Sequence, residues 1–565
     1  MKTIEIRRER NSRRPRFLVR VTLMALLAVS HFALGAEAPP PPPGAEITPP
    51  RLSFVDGTVS LWRPGAEDWV PARVNTPLAE GDALYAGSRA NLEVQVGARA
   101  FARAAENTEL GIVSIEPDFL QLKVTLGQAS LDLRSVPAAQ TVELDTPHAV
   151  FTIEHPGYYR VAVLDDATHF ITRRGGRATV TRADGTSQSI AAAEEIVVRA
   201  GAVETYAAPE LDAWDRWNYA RTDYEIEALS ARYVSPGTYG VGVLDQWGTW
   251  RVVAPYGAVW IPERVPPGWA PYTAGSWIWD VRFGWTWVDD APWGWAPFHH
   301  GRWVVVNGLW AWAPGPVILR AVYAPALVAF FSLSPEISVS IGIAGPGLGW
   351  VALGWGEPLV PWWGRPGFLG APWWGGWGGP RISVIVYEHI RTPRAVVAVG
   401  DRQFGAGPVH GVRLAQARAR ELARVVGAPP ARPGAASLVP DRRRAAVRPP
   451  ANVASRPVVA TRAPREAPAQ ARVVAPPKRP DVSAPAPRPS FGERGVERPR
   501  PPAPPRLEDM RRAPRAAQPV PGAAQRPLPQ AQQPRALPGR PANESFPRRG
   551  PPQAQSKARE GRSQR

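Results

Sequence analysis

The sequence predicts an all-β protein: two antiparallel β domains in series, a helix linking them, and a long disordered C-terminal tail. Three observations predict it. Residues 52–203 carry short apolar runs of period two, separated by turn signals. Twenty of the 24 tryptophans crowd between Trp247 and Trp377, many of them two residues apart. Residues 428–565 contain 31 Pro and 7 Gly but few large apolar side chains. Residues i and i+2 of a strand share a face, so the first two patterns suit sheets. The third lies within the compositional range of disorder.

Charge divides the chain in the same way. The net +18 over 565 residues resolves into +6 for residues 1–36, −7 for residues 37–427 and +19 for residues 428–565. A basic folded domain is thereby excluded, and no nucleic-acid partner is expected. The tail's 26 arginines are accompanied by Phe491 and Phe546 alone, without the interleaved aromatics of single-strand binders.

Residues 1–36 have the make-up of a secretory signal: Lys2, Arg7, Arg8, Arg10, Arg13, Arg14, Arg16 and Arg20, then the apolar stretch Val21 to Leu34, then small residues ending at Ala36. The apolar stretch is shorter than the roughly 20 residues that span a bilayer. Cleavage and release into the periplasm or medium is therefore expected, with a retained membrane anchor as the weaker reading. With no Cys, the exported chain can hold no disulfide, and packing must supply its stability.

The mature chain opens with a Pro-rich spacer, residues 37–51, which includes Pro39 to Pro43. A β domain is expected over 52–208. Its strand-like runs include Leu92-Glu93-Val94-Gln95-Val96 and Leu120-Gln121-Leu122-Lys123-Val124, and its turns include Asp56-Gly57, Gly175-Gly176 and Asp184-Gly185. Residues 209–232 predict a linking helix whose apolar face is Leu211, Trp214, Trp217, Ala220 and Tyr224.

Residues 233–410 predict a Trp-rich repeat domain. Tyr256-Gly257 with Trp260, Gly268-Trp269-Ala270-Pro271-Tyr272 and Trp277 are echoed by Phe283-Gly284 with Trp287, Gly294-Trp295-Ala296-Pro297-Phe298 and Trp303. Trp277/Trp279, Trp285/Trp287 and Trp310/Trp312 each put two indoles on one strand face, predicting a meander of hairpins with a tryptophan core. The alternation Ile337 to Ile341 predicts a further strand. Val412 to Val426 predicts a helix within 411–427, and the basic Pro/Arg/Ala-rich tail is expected to be disordered from 428.

Two stretches resemble known families. Gly57-Thr58-Val59, Trp69-Val70-Pro71-Ala72, Thr76-Pro77-Leu78-Ala79-Glu80-Gly81-Asp82, Leu126-Gly127-Gln128-Ala129 and Asp145-Thr146-Pro147-His148-Ala149-Val150-Phe151 stand in the order of the FecR-like extracytoplasmic domain. The resemblance implies a periplasmic β-sandwich-like module, of a kind whose best-known members relay a receptor's state to a cytoplasmic sigma factor. The 20 basic-rich residues before Val21 are too few for a folded sigma-binding domain. Residues 233–410 are similar to an uncharacterised tryptophan-rich domain that follows FecR-like domains in exported proteins of Gram-negative bacteria. Tyr256-Gly257-Ala258-Val259-Trp260, Trp293-Gly294-Trp295-Ala296-Pro297-Phe298-His299-His300 and Trp310-Ala311-Trp312-Ala313-Pro314-Gly315 carry that likeness.

No Gly-x-Ser-x-Gly, phosphate loop, His-Glu-x-x-His or thiol is present, so the chain is not expected to be an enzyme or to hold a cofactor or metal. The acidic pairs Asp165-Asp166, Glu194-Glu195 and Asp289-Asp290 are expected in solvated turns. Gly345 to Gly349 is expected to be a plain turn. His299-His300, taken as strand residues, should diverge and serve packing or hydrogen bonding, since zinc needs three or four converging ligands. The tryptophans admit two readings: core, or a partner surface at Trp362, Trp363, Trp373, Trp374 and Trp377, where few other core residues stand among the glycines. The function expected is that of an exported, non-catalytic interaction or scaffold protein of the cell envelope, binding an unidentified protein or glycan. Its tail would adhere to anionic envelope surfaces. A FecR-related sensing role and carbohydrate binding through exposed Trp are the alternatives.

Overall fold

The long strand Phe119–Leu133 organises the N-terminal domain in a computed structural model, which describes residues 48–137, 139–200, 202–318, 321–363, 387–415, 421–424, 429–463 and 471–476. Its first half pairs with Thr108–Glu116 and, in parallel, with Thr141–Asp145. Its second half pairs with Ala100–Ala104 and Gly157–Val163. The strand therefore serves two sheets and crosses between them at Gly127, which has φ +95° and where a Cβ would collide with Thr108.

The first sheet runs in the order Arg51–Asp56, Asn91–Gly97, Ala100–Ala104, Phe119–Leu133, Gly157–Val163, Ala167–Arg173, Glu194–Arg199, Ala202–Ala207. The second runs Val70–Pro71, Val59–Trp62, Ala83–Ala86, Thr108–Glu116, Phe119–Leu133, Thr141–Asp145, Ala149–Ile153, Ala178–Arg182, Ser187–Ile190. One apolar set from each alternation meets between the sheets, with Leu92, Val94, Leu122, Val124, Leu144 and Val161 in a single core. Phe151 and Phe170 stack at its centre, 4.1 Å between ring centroids.

The linking helix is Ala213–Ile226. Asp212 accepts a hydrogen bond from the Asp215 amide, and the Asp215 side chain accepts from the Asp212 amide, a reciprocal cap that sets the start. Its buried residues are Asp215, Trp217, Asn218, Arg221 and Thr222. The apolar face expected from the sequence is thus not the one that packs; of its five members only Trp217 is buried.

Three hairpins follow. Gly248–Val253 pairs with Gly257–Pro262, Gly275–Asp280 with Gly284–Asp289, and Arg302–Val306 with Leu309–Ala313. Gly257 (φ +76°) and Gly284 (φ +68°) close the first two loops at equivalent points of the repeat, and Asn307-Gly308 (φ +50° and +78°) closes the third. Indoles face each other across every hairpin: Trp250 and Trp260, Trp277 and Trp287, Trp303 and Trp312. Trp260 also pairs with Trp312, which joins the first and third hairpins into one four-stranded sheet. A further sheet, Val412–Arg413, Val397–Gly400, Gly347–Ala352, Val328–Leu333, Ala423–Arg424, closes the domain.

Three expectations need correction. Pro335–Ser340 is a helix rather than a strand: Ser334 accepts from the Ile337 amide and Pro335 stands at the first helical position, and this start outweighs the alternation of Ile337 to Ile341. The described parts of 412–426 hold two short strands, Val412–Arg413 and Ala423–Arg424, at the two edges of that five-stranded sheet, so no single helix runs through Val412 to Val426; residues 416–420 and 425–426 lie outside the described residues. The expected start of disorder at 428 falls too early. Residues 429–463 form an arm with a short helix, Ala451–Ala454, and a strand, Val458–Ala460, that pairs in parallel with Ala471–Val473. Residues 1–47 and 477–565 lie outside the described residues. Among those described, no helix is long and apolar enough to cross a membrane.

Candidate functional site

The polar residues of the Leu92 to Val96 alternation point away from the sandwich core and build the most unusual feature of the molecule. Glu93 is fully buried beneath the linking helix. It accepts from Arg103 Nε and Arg221 Nε, both at 2.7 Å, from Arg221 NH2 at 2.9 Å and from Ser53 Oγ at 2.7 Å. Burial alone would raise its carboxyl, but Arg221 and Arg103 outweigh burial and hold it well below the usual range. Asn218 accepts from Ser130 at 2.8 Å, and Tyr158 donates to Asp215 at 2.7 Å. A polar helix face therefore meets a polar sheet face, and every charge at the centre has a partner of opposite sign.

The same strand continues into the seam between the domains. Arg51, buried, donates to Gln95 Oε1 at 2.9 Å and to Asn75 Oδ1 at 3.2 Å, and its guanidinium lies 5.5 Å from the Trp295 ring centroid. Burial lowers its pKa to about 10 against the pull of Glu225 and Glu93. Asn75 holds φ +68° and donates to the carbonyls of Asp289 (3.1 Å) and Ala291 (2.7 Å) in the hairpin domain. Gln95 accepts in turn from the Gly240 amide at 3.1 Å, and Arg282 donates to the Leu78 carbonyl at 2.8 Å. The domains are joined by oriented polar contacts, not by a flexible linker alone.

The expected partner surface fares differently. Trp362 and Trp363 are buried at 9% and 3% exposure, and Trp362 donates to the Trp285 carbonyl at 2.9 Å, which makes both part of the hairpin core rather than a ligand-facing patch. Flanking apolar groups from the other hairpins and from Phe330 supply the core that the local sequence lacks. Trp373, Trp374 and Trp377 lie outside the described residues.

His299 and His300 fall in the short helical turn Ala296–His299 and just after it, not in a strand. Both are buried and both bond one segment, His299 Nδ1 to the Ala324 carbonyl at 2.8 Å and His300 Nδ1 to that of Val322 at 2.9 Å. Burial lowers their pKa values to about 3 and about 4. Asp165 and Asp166 are exposed, as expected of a turn. Asp289 is not: it is buried, accepts from Trp287 Nε1 and the Ala291 amide, both at 3.0 Å, and burial raises its carboxyl far above the usual range. Gly345 has the positive φ of a turn, but Gly347–Ala352 is a strand.

Two further surfaces carry no signature of their own in the sequence. Where the two sheets part, a cleft of ≈ 690 Å³ is walled by Val96, Leu120, Leu133 and Val142 from the sandwich and by Tyr239 from the hairpin domain. Glu116 and Gln140 stand in its lining. The arm crosses the second sheet, where Val459 bonds Thr146 and Thr461 bonds Glu143. Among the described residues, no three His, Cys, Asp or Glu side chains converge on a metal-sized site.

A family model described as a family of unknown function (DUF6600) matches residues 241–357, a span holding all three hairpins. Two crystal structures of a proposed anti-sigma factor from Parabacteroides distasonis ATCC 8503 are similar, each at 11% identity and a TM-score of 0.21. They cover 25% and 24% of this chain, and the chain matches 64% and 62% of theirs, less than two thirds of that protein's length. A comparison with curated proteins gave no match.

Proposed function

We propose that the chain is an exported, non-catalytic interaction protein of the cell envelope, in which the N-terminal sandwich and the Trp hairpin domain act together as one rigid binding body. The observation that carries this reading is the seam. Arg51, Asn75 and Gln95 commit buried hydrogen-bonding groups to the neighbouring domain, a large desolvation to maintain unless the relative position of the two domains matters. The apolar cleft beside the seam, walled from both domains, adds a surface that neither domain has alone. Export rests on the signal-like residues 1–36. Sensing of an envelope state is the second reading, supported by the FecR-like order of residues 52–203.

The test is photo-crosslinking of the full chain in its native envelope from Val136, at the cleft rim. One discrete adduct, lost when Tyr239→Ala alters the opposite wall, is the expected result. Adducts no different from those of a probe placed at Asp184, on an exposed turn far along the sandwich, would overturn it.

A further inference from the structure

Residues 438–463 contact the sandwich in two chemically different ways. At Leu438 and Val439 the arm is built in. Val439 belongs to the sandwich core, and the Leu438 carbonyl accepts at 3.0 Å from Arg63, a buried guanidinium already held bidentate by Asp82 at 2.8 and 2.6 Å. Beyond it, residues 441–463 run across the outside of the sandwich: Asp441, held by Arg73 at 2.8 Å, Val453 and Val458 to Ala460 are buried, while the arginines between and beyond them reach outward. Arg444 pairs with Asp68 at 2.7 Å while its side chain stays 71% exposed; Arg462 pairs with Glu116 at 2.9 Å while 47% exposed. Arg456 donates to the carbonyls of Thr125 (3.1 Å) and Asp165 (2.7 Å). Backbone contacts are sparse: the Ala445 amide to the Trp69 carbonyl at 2.8 Å, and the Val459 amide to that of Thr146 at 2.9 Å.

The face beneath mixes carboxyl and apolar groups, all covered by the arm. Glu143 and Asp145 are both buried there, two residues apart on one strand face. Glu143 accepts from the Thr461 amide at 2.8 Å, and Gln121, which donates to Asp145 at 2.8 Å, also donates to the Arg462 carbonyl at 3.1 Å. Val150, fully buried, is covered by Val459 and Val474. The extended segment thus sits by its backbone on Glu143 and by Val459 on Val150, while its arginines reach the acidic rim formed by Asp68, Glu116 and Asp165.

We infer that residues 441–463 are a removable strap, an intramolecular ligand on an acidic docking face of the sandwich, and that phosphate-bearing polyanions release it by taking its arginines. The arginines that pair with Asp68 and Glu116 are exposed enough to engage a second anion, and the guanidinium fork fits phosphate as it fits carboxylate. Exposed pairs of this kind are screened by salt, whereas the Leu438–Val439 anchor is not. Release would peel the strap back to that anchor and bare Glu143 and Val150, with the acidic rim of Asp68, Glu116 and Asp165, to another basic, extended peptide.

Hydrogen exchange on the full chain tests it, with the Ala445, Val459 and Thr461 amides as reporters and Leu92 and Leu122 as core references. Inorganic polyphosphate is expected to speed exchange at the three reporters at least fivefold and leave the references unchanged; phosphatidylglycerol vesicles, run in parallel, tell whether a lipid surface does the same. Arg444→Gln/Arg462→Gln should exchange fast at the reporters without polyanion and respond little to it. Reporters unmoved by both polyphosphate and vesicles, or moving only together with the core references, would overturn the strap.

Discussion

The two β domains solve the same problem, a core without disulfides, with opposite materials. The sandwich fills the space between its sheets with aliphatic alternation and places its charges on the outer sheet face, where a helix seals them around Glu93. The hairpin domain has only short strands, and its core is indole: Trp260, Trp277, Trp285, Trp287, Trp295, Trp303, Trp312 and Trp350 are all under 2% exposed. Several indoles also use their N–H, Trp260 donating to the Leu244 carbonyl, Trp312 to that of His300 and Trp350 to that of Tyr272. A large ring with one donor can close a hairpin repeat too small to bury enough methyl groups, and its N–H takes up carbonyls that no sheet reaches. The difference teaches that the hairpin domain should be sensitive to side-chain volume and the sandwich–helix layer to charge.

The largest effect should come from volume. Trp277 packs at 5.2–5.6 Å between centroids against Trp287, Phe330, Trp350 and Phe404. Trp277→Ala is expected to destabilise by about 3–5 kcal/mol, read as the shift in urea midpoint. Charge comes next: Glu93→Gln leaves Arg103 and Arg221 buried without their carboxylate and should cost about 3 kcal/mol or more. The two variants break the comparison if Trp277→Ala is mild while an aliphatic truncation in the sandwich, such as Leu122→Ala, is severe.

A smaller effect is pH-dependent. His300 is held at about 4, so below its unfolded value near 6.5 the unfolded chain binds more protons than the folded one, and its contribution is lost as pH falls. His300→Gln should therefore lose less stability than the parent between pH 6.5 and 4.5, by up to about 1.4 kcal/mol per pH unit. Glu357 has the opposite sign. Burial raises it to about 7, so the folded state binds the extra proton and stability contributed there falls as pH rises from about 4.5 to 7. Glu357→Gln should steepen the acid loss, and thermal melts across this range check both. The smallest change is expected at Asp68→Asn, which removes an exposed pair to Arg444 and should cost under about 1 kcal/mol, vanishing at high salt.

Much of this was legible in the sequence. Alternation such as Leu92-Glu93-Val94 marks strands because the period is local, and the Gly257 and Gly284 loops recur because each hairpin needs the same left-handed turn. What escaped was set by partners distant in the chain. Periodicity favours the helix face bearing Trp214 and Tyr224, but the sheet it meets offers Glu93, Arg103 and Ser130, so Asn218 and Arg221 turn inward. Glu93 and Gln95, two polar residues on one face of a strand, were the available signal. Asp289 reads as solvated from its acidic pair because its burial depends on Asn75 and the sandwich, 214 residues earlier. The arm looked disordered by composition, since Arg and Pro carry no core; its order comes from Asp68, Glu116 and Glu143, more than 300 residues earlier.

If Arg51, Asn75 and Gln95 lock the sandwich, the linking helix and the hairpin domain together, as proposed, the three unfold as one unit. Urea unfolding of the full chain tests it most directly, followed at once by tryptophan emission, which comes chiefly from the hairpin domain, and by exchange protection at Leu92 and Leu122 in the sandwich. A single shared midpoint is predicted for the parent chain, splitting into two in Arg51→Ala/Asn75→Ala. Two separate midpoints in the parent, with sandwich amides still protected after the indoles are exposed, would contradict it.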